Sequence, residues 1–276
     1  MAGVTRLEVW IARKHYPGAA RPAIDSLRLS ANAGEIVGIV GPSGCGKSTL
    51  LNIVAGLDGA FEGSVEIDGR PFRHALDVRD GPAPARIGMM FQASRLMPWL
   101  TVLENLHLVR GRDPGDLVRA RQLLRDVGLE EVENAYPGQL SGGMQRRVAL
   151  ARAFAIEPEL LLLDEPLVSL DAPTAARLRR HLVELWQATR PAVLYVTHEL
   201  REALAVADRV VFLSPGPARV VLELPVGLSR PREPGDAAVG ELHDRLLVRH
   251  PELLAGSADR REDDAPAMSG GGWSPR

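Results

Sequence analysis

Nine consecutive residues, Gly41, Pro42, Ser43, Gly44, Cys45, Gly46, Lys47, Ser48 and Thr49, hold the densest chemistry in the chain. Their G-x-x-x-x-G-K-S spacing is that of a phosphate-binding loop. Backbone N–H groups of such a turn converge on an anion, and a helix beginning near Lys47 aims its positive dipole end at the same point. The pattern places Lys47 to reach β- and γ-phosphates and the Ser48 hydroxyl to ligate Mg²⁺. An accidental glycine-rich turn is the alternative. With Gly at about 7% of ordinary sequence, a chance match somewhere in such a chain is on the order of one in a hundred. It is rarer here, because Lys14 and Lys47 are the only lysines among 33 basic residues.

A second pattern complements the first. Leu160–Leu163 is a pure leucine run followed by Asp164-Glu165. A leucine strand is buried on both faces, so its end delivers two carboxylates to the rim of a sheet. Asp164 is expected to hold Mg²⁺ through water and Glu165 to polarise the attacking water as general base. Alone, the run reads more simply as a solvated strand end; beside a phosphate loop, the catalytic reading prevails.

Between the two motifs stands Leu140-Ser141-Gly142-Gly143-Met144-Gln145. Ser141 suits the start of a helix, and Gly142 and Gly143 let backbone approach an anion closely. A bare helix cap is the plainer reading. Lying between phosphate loop and acidic strand, the segment resembles the signature sequence of the ABC ATPases, and the resemblance covers roughly residues 4–225. It implies ATP and Mg²⁺ as ligands and assigns roles to four further segments. Gln92 matches the Q-loop glutamine, contacting Mg²⁺ or water and sensing a membrane partner. Ser169-Leu170-Asp171 matches the D-loop, and His198 the switch histidine at the γ-phosphate. Tyr16, 25 positions ahead of Gly41, matches the aromatic that stacks on adenine. Each has a plain structural alternative when taken singly.

Arg95-Leu96-Met97-Pro98-Trp99-Leu100-Thr101-Val102-Leu103-Glu104-Asn105 is similar to the nitrate/sulfonate/taurine importer ATPases within that family. Two departures from the commoner patterns are Ala93 after Gln92 and Leu167 after Pro166. The resemblance implies two ATPase subunits packed head to tail, with Ser141 and Gly143 of one facing the phosphate held by Lys47 of the other. It also implies integral membrane permease subunits docked near Gln92 and residues 95–105, a solute-binding protein reached indirectly, and a place at the cytoplasmic face of the membrane. A separate-subunit exporter, a non-transport ABC ATPase and a scaffold without turnover are the competing functions.

An α/β fold is expected: a P-loop NTPase (RecA-like), mainly parallel sheet with an antiparallel β subdomain and a helical subdomain inserted over about 95–158. Strands are expected around residues 5–32, at Glu35–Val40, Ser64–Phe72, Arg86–Phe91, Glu159–Leu163 and Ala192–Val196, and in a hairpin over Arg209–Leu224. Helices are expected at Lys47–Leu57, at Thr174–Thr189 with Leu178, Leu182, Leu185 and Trp186 on one face, and at Glu199–Ala207. In the insertion, Leu117, Leu124 and Val127 mark one amphipathic segment, and Met144, Val148, Ala151 and Ala155 another. The ATPase domain would span 4–225, followed by a Pro- and Arg-rich linker, a helix over Asp236–His250 within 226–255, and a polar, disordered tail over 256–276.

Composition is ordinary for a globular protein, at 45% hydrophobic and 25% charged residues. A net charge of −2 argues against nucleic acid as the partner. Cys45, the single cysteine, excludes an intrachain disulfide and fits a reducing compartment. No run approaches the roughly 18 apolar residues of a membrane span. Although a thiol beside a helix start can be acidified, Cys45 reads as a small residue tolerated in the loop. Its alkylation is expected to block nucleotide binding by bulk.

Overall fold

The computed structural model describes residues 5–72, 85–109 and 114–251. Thr5–Lys14 (β1) and Ile24–Asn32 (β2) pair antiparallel. Burial alternates along β2, as expected of a strand with one face on a core. Ile36–Val40 (β3) enters a second sheet, and Lys47–Val54 (α1) follows the loop after it. Glu62–Ile67 (β4) and Arg70–Pro71 (β5) complete the first sheet, in the order β2-β1-β4-β5.

Ile87–Met90 (β6) leads into the helical insertion of Val102–His107 (α2), Pro114–Asp126 (α3) and Gly142–Ala155 (α4). Leu160–Asp164 (β7), Ala172–Thr189 (α5), Ala192–Thr197 (β8) and Leu200–Val206 (α6) then alternate. Arg209–Leu213 (β9) and Val220–Pro225 (β10) form the hairpin, and Ala237–Arg249 (α7) closes the described chain. The second sheet runs β10-β9-β3-β8-β7-β6, with every pairing parallel except β10 to β9.

Every residue of β3, β7 and β8 is buried. Their side chains alternate between two cores. Ile36, Val40, Leu161, Leu163, Val193 and Tyr195 face the helices of the insertion with α5 and α6. Val37, Ile39, Leu160, Leu162, Leu194 and Val196 face α1 and the antiparallel sheet. Continuous apolar runs are the sequence form of a parallel strand covered on both sides.

The expected elements stand, with three corrections. α1 stops at Val54, short of Leu57, because Gly56 turns left-handed at φ 67° and the N–H groups of Leu57 and Asp58 fold back to the Asn52 carbonyl. The buried face of α3 runs through Asp116, Ala120, Leu123 and Leu124, with Val127 just past its end, which leaves Leu117 exposed. The stretch read as a linker is packed: Arg232 is 8% exposed and donates to the carbonyls of Ala205, Ala207 and Leu228. Burial, with Arg230 nearby, holds the Arg232 guanidinium down at about 10. Glu233 pairs with the buried Arg179 of α5, and Arg201 of α6 reaches Asp244 of α7 at 3.4 Å. The tail over 256–276 lies outside the described residues, as does most of the Gly- and Pro-rich stretch before β6.

Gly88 shows how tightly the insertion is joined to the sheet. A Cβ there would stand 2.3 Å from the Ala153 carbonyl oxygen of α4. Gly88→Ala should therefore cost about 1–3 kcal/mol of stability, read from urea unfolding. A loss below about 0.5 kcal/mol would place β6 and α4 further apart than they are here.

Candidate nucleotide-binding site

The loop after β3 is shaped by glycines where no other residue fits. Gly46 sits at φ 117°, and a Cβ there would meet the Ala23 carbonyl oxygen at 2.9 Å. The same residue is the N-cap of α1, so Lys47 opens the helix. Lys47 is 5% exposed, and its Nζ donates to the carbonyls of Gly41 at 2.7 Å and Pro42 at 2.9 Å. The ammonium is thus desolvated but paid in hydrogen bonds by its own loop.

Cys45 lies beneath this loop, 2% exposed, and a Cβ on Gly41 would come 2.9 Å from its sulfur. Burial pushes its thiol up, outweighing the nearby Lys47. The thiol is shielded, so blocking the site by alkylation needs the loop to open first.

Strand register assembles the acidic half. Val40 pairs with Thr197 and Asp164 with Val196, which brings the ends of β3, β7 and β8 to one edge. Asp164 is 7% exposed, with the Ser48 hydroxyl near enough to lower its carboxyl. Burial raises its carboxyl above the usual range; Ser48, Lys47 and Arg95 pull it back, and Glu165 adds to the rise. Glu165 takes a left-handed φ of 45°, uncommon for a residue with a side chain, and its N–H donates to Val196 at 2.9 Å. Its Oε2 lies 3.5 Å from His198 Nδ1. Ser48, Asp164, Glu165 and His198 therefore stand at one sheet edge with the loop of Lys47, and β7 and β8 hold the last three.

Among the described residues no cluster of three or more His, Cys, Asp or Glu forms a metal cage. A hydroxyl beside a carboxylate that burial disfavours in ionised form fits a hard cation taking its other oxygens from phosphate and water.

Gln92 is exposed just past the end of β6. The segment after it is held by Arg152 of α4, which donates to the carbonyls of Ser94 and Arg95. Fully buried Asn105 donates to the carbonyls of Met97, Leu100 and Thr101 and accepts from the Met97 N–H. The turn so fixed presents Trp99, 70% exposed.

Ser141 is the N-cap of α4, accepting from the Met144 N–H at 3.3 Å. Gly142 has open space around its Cα, whereas a Cβ on Gly143 would stand 2.6 Å from Thr174 Cγ2. Thr174 in turn donates its N–H to Asp171, the N-cap of α5, at 3.0 Å, and that bond holds the Asp171 carboxyl below its usual range. Asp171 thus has a capping role, and the segments of Ser141 and Asp171 meet through Thr174. Tyr16 is 39% exposed, with its hydroxyl 3.3 Å from Thr49 Oγ1. Residues the motifs did not mark are Lys14 and Asp58 beside Tyr16; Arg95, given above only for its likeness to the importer ATPases, lies near Asp164. Only the scarcity of lysine pointed to the first.

A family profile described as "ABC transporter" matches residues 24–168. This chain belongs to the ABC transporter family. It is 44% identical over 241 residues to the aliphatic sulfonates import ATP-binding protein SsuB 2 of Burkholderia cenocepacia (strain HI2424), covering 87% of this chain and 86% of that one. It is 42% identical over 248 residues to SsuB of Cupriavidus pinatubonensis (strain JMP 134 / LMG 1197), covering 90% and 78%. Among solved structures it is similar to the dimeric ATP-binding cassette MJ0796 in a post-hydrolysis state bound to ADP and Pi. The TM-score is 0.69 at 34% identity, with 81% of this chain and all of that one covered. The strand order, the helical insertion and the family thus agree on the P-loop ATPase fold.

The shielded thiol gives a direct test of the loop. Iodoacetamide at pH 8 should modify native Cys45 at least about tenfold more slowly than in urea-unfolded protein, since only the small exposed thiolate fraction reacts. Equal rates would mean that Cys45 is not beneath the loop.

Proposed function

We propose that the chain is the ATP-hydrolysing subunit of an importer for small anions of the sulfonate class, working as a dimer at the cytoplasmic face of a membrane. One observation carries the catalytic part: parallel register gathers the loop of Lys47 and Ser48 with Asp164, Glu165 and His198. Lys47 exchanges its bonds to Gly41 and Pro42 for β- and γ-phosphate oxygens of ATP. Ser48 and Asp164, with Gln92, would hold Mg²⁺, which would supply positive charge against the phosphates. Glu165 orients the attacking water and accepts its proton as the new bond to phosphorus forms and ADP leaves. His198, near Glu165, contacts the transferring phosphoryl group.

The remaining assignments rest on likeness. Relatives at 44% identity are named as importers of aliphatic sulfonates, which supports the solute class. The dimeric cassette, 34% identical, supports pairing with a second copy, so that Ser141, Gly142 and Gly143 of one protomer cap the phosphate on the other and Asp171 lies at the seam. Among the described residues no helix is long and apolar enough to cross a membrane. The relatives' naming as import ATP-binding proteins supports permease subunits as partners, and exposed Trp99, on its Asn105-braced turn in the segment after Gln92, offers them an apolar anchor. A solute-binding protein would act through those permeases.

Two substitutions separate binding from chemistry. Glu165→Gln should slow phosphate release by about 10²–10⁴-fold while ATP still binds, the scale of a lost general base. Lys47→Ala should instead abolish ATP binding, measured by equilibrium dialysis. Wild-type turnover in Glu165→Gln would remove Glu165 from its role.

A further inference from the structure

The second lysine of the chain is as buried as the first. Lys14, at the end of β1, is 3% exposed, and its Nζ donates to Asp58 Oδ1 at 2.7 Å and to the Ala60 carbonyl at 2.9 Å. It also stands 4.5 Å from the centroid of the Tyr16 ring. Asp58 Oδ2 is 3.4 Å from the Tyr16 hydroxyl, whose other neighbour is Thr49 Oγ1 at 3.3 Å. The ring is therefore held on one face by an ammonium and at its tip by a carboxylate and a hydroxyl.

We infer that Lys14 and Asp58 are positioning residues for nucleotide binding, which fix Tyr16 so that its face away from Lys14 receives the base while Lys47 receives the phosphates. The inference rests on the proposed use of Tyr16 as the base platform. Three constraints support it. A half-exposed aromatic on a loop would ordinarily lose rotamer freedom when a base stacks on it; a ring already pinned has less to lose, and affinity gains accordingly. The ammonium occupies one ring face in a cation–π contact, leaving the other for stacking. Finally, the two tethers of the hydroxyl sit at opposite ends of one element, Thr49 in the first turn of α1 and Asp58 just after its end. The helix that opens with the phosphate lysine thus also sets the place of the base platform.

Lysine suits this site better than arginine. Its three tetrahedral donors can serve a carboxylate, a carbonyl and a ring face from one point, whereas a planar guanidinium spreads its donors in a fork. In a chain whose only other lysine is Lys47, a lysine at position 14 fits that geometry.

The test compares ligands with and without a base. Isothermal titration with Mg-ATP and with Mg-tripolyphosphate would be run on wild-type protein, Lys14→Met, Asp58→Asn and Tyr16→Ala, with folding checked by thermal melts. Lys14→Met and Asp58→Asn should each weaken ATP by about tenfold and leave tripolyphosphate within about twofold. In steady-state hydrolysis the loss should fall on KM rather than kcat, and Lys14→Met should add little once Tyr16 is Ala. Equal weakening of both ligands, or no change for ATP, would overturn the inference. If Lys14→Met fails to fold, Asp58→Asn decides by the same criteria. An unchanged ATP affinity in Tyr16→Ala would overturn the platform itself; a weakened Tyr16→Ala beside an unaffected Lys14→Met and Asp58→Asn would overturn only the positioning.

Discussion

The site exists because three strands must stay apolar until they end. β3, β8 and β7 lie side by side in the interior of the sheet, parallel, with every residue buried. An uncompensated carboxylate or ammonium within them would cost several kcal/mol. Polar chemistry is consequently expelled to the strand ends, and the register of Val40 with Thr197 and Asp164 with Val196 decides that these ends coincide. Slipping β7 by one residue would turn its leucines to the opposite core and carry Asp164 away from Ser48. Backbone pairing across distant parts of the chain is thus what turns two separate motifs into one site.

At that edge the charges are balanced in different ways. Lys47 is satisfied by carbonyls of its own loop, which a phosphate can replace. Asp164 is less well served, since burial outweighs Ser48 and Lys47 and lifts its carboxyl above the ordinary range. A group held unfavourably in ionised form responds strongly to an arriving cation. Glu165 carries backbone strain at φ 45°, anchored by the Val196 carbonyl, next to His198. Local discomfort of this kind is tolerated because two hydrophobic cores clamp the strands beneath. Ser141, by contrast, caps α4 in the insertion, and Gly143 beside it packs on Thr174. Its proposed role needs a phosphate supplied by another protomer.

Much of this was legible in the residues. Unbroken runs such as Leu160–Leu163 announce strands covered on both faces, and the loop pattern around Lys47 carries its own geometry. What escaped reading depends on partners remote in the chain. Arg232 looks like a solvated linker residue until its guanidinium meets the carbonyls of Ala205 and Ala207. Leu117 loses its place in the core because the α3 stripe tilts through Asp116. The end of α1 is set by the turn at Gly56, and the quiet thiol of Cys45 by the packing of Gly41 over it. Lys14 was noticeable for its rarity, yet its task became visible only with Asp58 and Tyr16 placed around it.

The central claim is that one protomer supplies the phosphate cradle and its twin the serine-glycine cap. Sedimentation velocity on Glu165→Gln protein, with and without Mg-ATP, tests it directly when repeated with Ser141→Arg added. The account predicts that ATP converts the first protein from monomer to dimer, while the second binds ATP and stays monomeric. A Glu165→Gln protein that remains monomeric at saturating ATP, or a Ser141→Arg form that dimerises equally well, would contradict it.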